Sequence, residues 1–153
     1  MALLPFLRKK DFFSHQEKEN ILEAIRQAEQ QTSGEIRIYV ESRCRFVEPL
    51  DRAAELFWGL KMEMTKDKNG VLVYVAMKDH QFAILADQGI HEKVGEAFWR
   101  KEVEMMSKHF GQSHPTEAIV AVVHDIGAAL KTHFPYDRTV DKNELPDDII
   151  FGK

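Results

Sequence analysis

A single cysteine in 153 residues, Cys44, excludes an internal disulfide framework and agrees with a reducing compartment. No Cys–His spacing surrounds it, so Cys44 is read as structural. Surplus positive charge is also missing. With a net charge of −4 and a pI near 6.0, the chain carries none of the basic excess that marks a nucleic-acid footprint. No window approaches the roughly 20 apolar residues of a membrane helix, so no transmembrane segment is expected. The start, MALLPFLRKKDFF, places apolar residues before basic ones and has no long h-region, the reverse of a signal peptide. Leu3, Leu4, Phe6 and Leu7 beside Arg8, Lys9 and Lys10 read as a loosely packed terminus in preference to a membrane-surface anchor. These absences point to a cytoplasmic protein.

Catalytic signatures are equally scarce. The seven histidines form no HExxH arrangement and no zinc spacing. His124 lies inside the apolar stretch Ala118–Leu130 and is expected at a buried or boundary position. There is no Gly-x-Ser-x-Gly elbow, phosphate-binding glycine loop or dinucleotide fingerprint. What remains is ordinary for one soluble globular domain: 44% hydrophobic and 30% charged residues, and enough length for a substantial core.

The pattern builds around Asn69–Ile90, NGVLVYVAMKDHQFAILADQGI. Two β-rich runs, Val71–Met77 and Phe82–Ala86, flank the short polar break Lys78–Gln81 and read as a β-hairpin. Val71 to Val75 do not alternate with polar residues, so this strand is expected to be covered on both faces. Upstream, Ser14 and Glu17 form a capping-box pattern ahead of the stripe Ile21, Leu22, Ile25 and Ala28. Thr32-Ser33-Gly34 ends that helix by turn chemistry. Glu35–Val40 alternates as a strand with Ile36, Ile38 and Val40 inward. From about Leu50 to Met64 helical spacing returns, with Ala53, Ala54, Phe57, Leu60 and Met64 on one side. Phe57 and Trp58 are expected in the core.

After the hairpin, one helix is predicted from about Gly95 to Phe110. Another follows Pro115, ends near His133 and is closed by Pro135. Ile149-Ile150-Phe151, in a charged tail, either packs at a sheet edge or stays mobile. The predicted organisation is an N-terminal segment over 1–13, a domain over 14–134 and a tail over 135–153. The fold class is α/β: a three-layer α/β/α sandwich around a small mixed sheet with a central antiparallel hairpin.

Strand directions then place the polar residues. If Glu35–Val40 runs parallel to Val71–Met77, both start at one edge, and the antiparallel strand ends there. That edge would gather Ser33, Gly34, Glu35, the loop Asp67–Asn69 with Gly70, and the turn Asp87-Gln88-Gly89, with Glu92 within reach. Glu35, Asp67, Asn69, Asp87, Gln88 and Glu92 offer oxygens suited to a hard cation such as Ca²⁺, and Gly34, Gly70 and Gly89 supply the turns. The plainer account makes these acids surface groups, with Asp87 fixing a turn or capping the next segment.

Thr32-Ser33-Gly34-Glu35-Ile36, Asn69-Gly70-Val71-Leu72-Val73 and Phe82-Ala83-Ile84 running to Asp87-Gln88-Gly89-Ile90 together resemble the TPM domain family. That family includes a thylakoid-lumen protein linked to photosystem II repair, and bacterial proteins. The resemblance spans about Glu17 to Phe134. It implies an α/β/α sandwich, Ca²⁺ binding in some members, and a weak acid phosphatase activity associated with the plant member. Where many relatives have Gly-Tyr-Gly, this chain has Asp87-Gln88-Gly89. The ending Asp141–Asp147 resembles the tail of a soluble bacterial subgroup. Three readings follow: a Ca²⁺-binding accessory or interaction domain, a metal-assisted phosphatase, and a metal-free module contacting a protein partner through Trp58, Trp99 or the apolar N-terminus.

Overall fold

The computed structural model describes residues 12–112, 114–136 and 149–152. The N-terminal apolar group and the Asp141–Asp147 ending lie outside the described residues. The first helix, α1 (His15–Glu29), begins at the expected capping box. Ser14 N donates to Glu17 Oε1 at 2.8 Å, and Glu17 N donates to Ser14 Oγ at 3.1 Å. Its Ile21, Ala24 and Ile25 are buried. The remaining elements are β1 (Glu35–Glu41), α2 (Pro49–Gly59), β2 (Gly70–Ala76), β3 (Gln81–Ala86), α3 (Gln88–Val94), α4 (Glu96–Gly111), α5 (Pro115–His133) and β4 (Ile149–Phe151).

The four strands form one mixed sheet in the order β3-β2-β1-β4. β1 pairs in parallel with β2, from Glu35 opposite Gly70 to Glu41 opposite Ala76, and in parallel with β4. β2 and β3 make the expected antiparallel hairpin. Every residue of β2 is buried. Its odd-numbered residues Val71, Val73 and Val75 join Ile36, Ile38 and Val40 under α1, α4 and α5. The even-numbered Leu72, Tyr74 and Ala76 face Ala53 and Phe57 of α2. The alternation of β1 therefore separates two covered layers, not core from water, and Arg37 and Glu41 are buried on the second side. Ile149–Phe151 resolves as the edge strand β4.

Four expectations need correction. Trp58 is 62% exposed, because the buried line of α2 runs through Ala53 and Phe57 and residue 58 lies about 100° further round the helix. Met64 is also exposed, since α2 stops at Gly59. The chain reverses through Lys61 (φ 58°) and delivers Met62 to the core in its place. Asp87-Gln88-Gly89 is the start of a seven-residue helix, with Asp87 as its N-cap. His124 sits on the exposed side of α5, between the buried Val123 and Ile126.

Between α4 and α5, the buried Glu102 lies beside Asp125. Burial, and then the neighbouring Asp125 carboxylate, push its pKa from 4.5 up to about 8. A raised folded-state value means that its stabilising contribution is full below the ordinary value and is lost as pH rises through the folded one. Urea unfolding should therefore show the wild type losing stability between pH 5 and pH 8. Glu102→Gln should flatten that slope and gain stability relative to wild type at pH 8.

Candidate functional site

The amino end of the β1–β2 pair is assembled by backbone hydrogen bonds. Glu35 N donates to Asn69 O at 3.3 Å, Asp87 N to Gly70 O at 2.9 Å, and Ile90 N to Lys68 O at 3.3 Å. Ser33 is held from the other side, its N donating to Phe134 O at 3.0 Å. Thr32 Oγ1 also donates to Phe134 O and accepts from Gly34 N. The three sequence segments expected at one edge are thus joined there.

Gly89 shows how tight the junction is. A Cβ on it would stand 2.1 Å from Asp67 O and 2.6 Å from Lys68 O. Glycine is required here because α3 begins against the carbonyls of the loop before β2. Gly34 is pressed on the Leu130 side chain, and a Cβ on Gly70 would meet Met62 O at 3.0 Å.

The candidate oxygens divide into two groups. Asn69 is buried; its N donates to Thr65 Oγ1 at 3.3 Å and its Nδ2 to Ser33 Oγ at 3.2 Å. Asp87 Oδ1 accepts from Gln88 N at 2.8 Å, the capping role. Asn69 Oδ1 and Asp87 Oδ2 are buried without a hydrogen-bond donor among the described residues. Such oxygens are costly to bury unless something satisfies them. Glu35 is buried at the head of β1. By contrast, Asp67 is exposed, and Glu92 is an exposed residue whose Oε1 accepts from Gln88 Nε2 at 2.8 Å along α3.

Glu63, which sequence pattern did not single out, carries a third buried oxygen of this kind, Oε2, on the loop leading to β2. Lys68 Nζ reaches the Glu63 carbonyl at 2.6 Å. Among the described residues no three of His, Cys, Asp and Glu are grouped to hold a metal ion. A cation at this edge would rest on Asp87 and Asn69 with backbone carbonyls and water, a donor set that Ca²⁺ accepts.

The opposite end of the sheet holds a cavity of about 640 Å³ lined by Glu41–Arg43, Arg45–Val47, Arg52, Glu55 and Lys78. Glu41 accepts from Arg52 Nε at 2.9 Å and Nη2 at 3.1 Å, and from the Tyr74 hydroxyl. Bonding to Glu41 raises the Arg52 pKa; burial, then the Glu41 bond, raises that of Tyr74. Of the proposed contact tryptophans, Trp58 is exposed, whereas Trp99 is buried. No described helix is long and apolar enough to cross a membrane.

Comparison with known proteins accords with this architecture. The family described as the TPM domain matches residues 7–129. The NMR structure of the BA42 protein from the psychrophilic bacterium Bizionia argentinensis is 37% identical, with a TM-score of 0.86, covering 95% of this chain and 99% of that one. The N-terminal domain of the cg2496 protein from Corynebacterium glutamicum shares the fold at 13% identity and TM-score 0.60, covering 91% and 80% of the two chains. An N-terminal domain from P. gingivalis does so at 16% and 0.62, covering 82% and 83%. No curated protein matches. The extent of the match, on a fold that its residues build independently, establishes that the chain belongs to the TPM domain family.

Proposed function

We propose that this chain is a divalent-cation-binding accessory module that takes Ca²⁺ at the amino end of the β1–β2 pair. The observation that carries the reading is the pair of buried, donor-less oxygens, Asn69 Oδ1 and Asp87 Oδ2, on elements tied together by the Asp87 N to Gly70 O bond. Oxygen donors without a proton to accept are what a hard cation needs, and Ca²⁺ completes its roughly 6–8 ligands with carbonyls and water. Glu35 and Glu63 lie close enough in sequence to those elements to add charge. Exposed Asp67 and Glu92 contribute at the rim.

An accessory role also needs a contact surface. Of the six exposed large hydrophobic side chains among the described residues, five fall between Phe46 and Met64, on α2 and the segments beside it. This concentration supports a protein partner on the α2 layer, with Trp58 as its aromatic anchor.

Titrating Ca²⁺ into the full chain should shift the backbone amide NMR signals of Gly34, Asn69 and Gly89. Asp87→Asn, which keeps a capping side chain but removes the charge, should weaken the binding at least tenfold. Shifts confined to other regions would sink the site.

Gly89→Ala should lower the urea midpoint by an amount worth about 1–3 kcal/mol, because the added methyl must force the loop carbonyls away. Loss of the Ca²⁺-induced shifts should accompany it.

Metal-assisted phosphomonoester hydrolysis would use the same cation as a Lewis acid. A steady-state assay separates it from binding alone. The accessory-module reading expects no Ca²⁺-dependent turnover above that of Asp87→Asn, and a clear difference between the two proteins would favour the hydrolase.

A further inference from the structure

The two parallel neighbours of β1 are reached over opposite faces of the sheet. β2 follows α2 on one face, and β4 follows α5 on the other. Of the described helices, α2 alone starts from the carboxyl end of β1 and β2; β2 turns back there into β3, and α5 ends at the amino end, where Phe134 O accepts from Ser33 N. Where the chain leaves β1 for α2 lies the cavity of about 640 Å³ at Glu41–Val47.

Its lining has a charge opposite to that of the whole chain. Arg43, Arg45, Arg52 and Lys78 stand around it against two carboxylates, Glu41 and Glu55, in a protein of net charge −4. Both carboxylates are committed to Arg52: Glu41 through Nε and Nη2, and Glu55 through Nη1 at 3.2 Å. Asp79 holds Arg43 Nη1 at 2.9 Å and, through its other oxygen, accepts from Cys44 N at 2.8 Å. Arg45 sits on the exposed loop between them. Arg43 is thus fixed in place by Asp79, which lowers the entropy lost when it receives a ligand, and Arg52 is engaged by Glu41 and Glu55.

An apolar wall completes the cavity. Phe46 is 99% exposed and held at φ 73°, a left-handed conformation that a bulky residue adopts at a cost. Val47 is exposed beside it. A full aromatic ring left to water at the mouth of a cationic cavity suits a ligand with an apolar part next to its charge.

We propose that the cavity at the carboxyl end of β1 binds a small organic anion. Arg43 and Arg45 would receive its phosphate or carboxylate, Ser42 and Lys78 would lie alongside, and Phe46 would cover its apolar portion. The site is separate from the cation edge, which lies at the other end of the same strands, so either can fail without the other.

Amide NMR titration of the full chain with phenyl phosphate, benzoate and phenol tests this. Saturable shifts at Ser42–Val47 and Lys78 are expected with phenyl phosphate or benzoate, and whichever binds more tightly identifies the anionic group. Phenol, equally aromatic but uncharged, should leave those signals in place. Arg43→Gln combined with Arg45→Gln should weaken the anion at least fivefold while the amide signals of α1 and α5 stay unchanged. Equal shifts with phenol, no saturable shift with either anion, or undiminished binding by the double variant would overturn the proposal. If the double variant perturbs α1 and α5, Arg45→Gln alone decides: the same weakening supports the site, and unchanged affinity overturns it.

Discussion

Strand β2 is buried at all seven of its positions, and the rest of the structure follows from that. A strand with no face toward water needs a partner on each side to satisfy its backbone and a helical layer above and below to cover its side chains. β1 and β3 provide the partners. The helices α1, α4 and α5 cover the valines of one face, while α2 covers Leu72, Tyr74 and Ala76 on the other. Each fully buried large apolar side chain is worth roughly 1.5–3 kcal/mol, so the run from Val71 to Val75 concentrates much of the driving force for folding in one segment.

Apolar side chains fill most of the middle of the sheet, with buried Arg37 of β1 the exception, and the two ends carry the other polar clusters. The ends are built differently. At the amino end, three segments are held edge to edge by main-chain bonds, and the close contact of Gly89 with the loop carbonyls fixes their spacing. At the carboxyl end the segment from β1 to α2 borders a cavity. Its wall is stiffened by a buried network, with Glu41 accepting from both Arg52 and Tyr74. That network leaves the carboxylate fully engaged, which is the condition for a buried charge to be tolerated.

Much of this was legible in the residues because the signals were local. The capping box at Ser14 and Glu17, the unbroken run from Val71, and the proline at the head of α5 each act within one turn or one strand. The amino edge followed from strand direction alone, and Gly34, Glu35, Asn69, Gly70, Asp87 and Gly89 are gathered there. Helical spacing misled where it was extended past Gly59: Met64 fits the stripe, but the chain had already reversed at Lys61. Asp87 looked equally like a turn residue or a cap, and its neighbours Gln88 and Glu92 paired with each other along α3.

Period, caps and unbroken apolar runs dictate which segments become helices or strands and which faces must be covered, so the layers follow from the residues alone. They also place the polar residues of the hairpin segment, Asn69 and Asp87, at strand ends. Which side chains meet across long separations depends instead on the packing of the folded chain. Arg43 finds Asp79 thirty-six residues away, Glu41 finds Tyr74 thirty-three away, and Glu102 comes to rest beside Asp125. Such pairings leave no periodic trace, because they depend on where two elements cross and not on the spacing within either one.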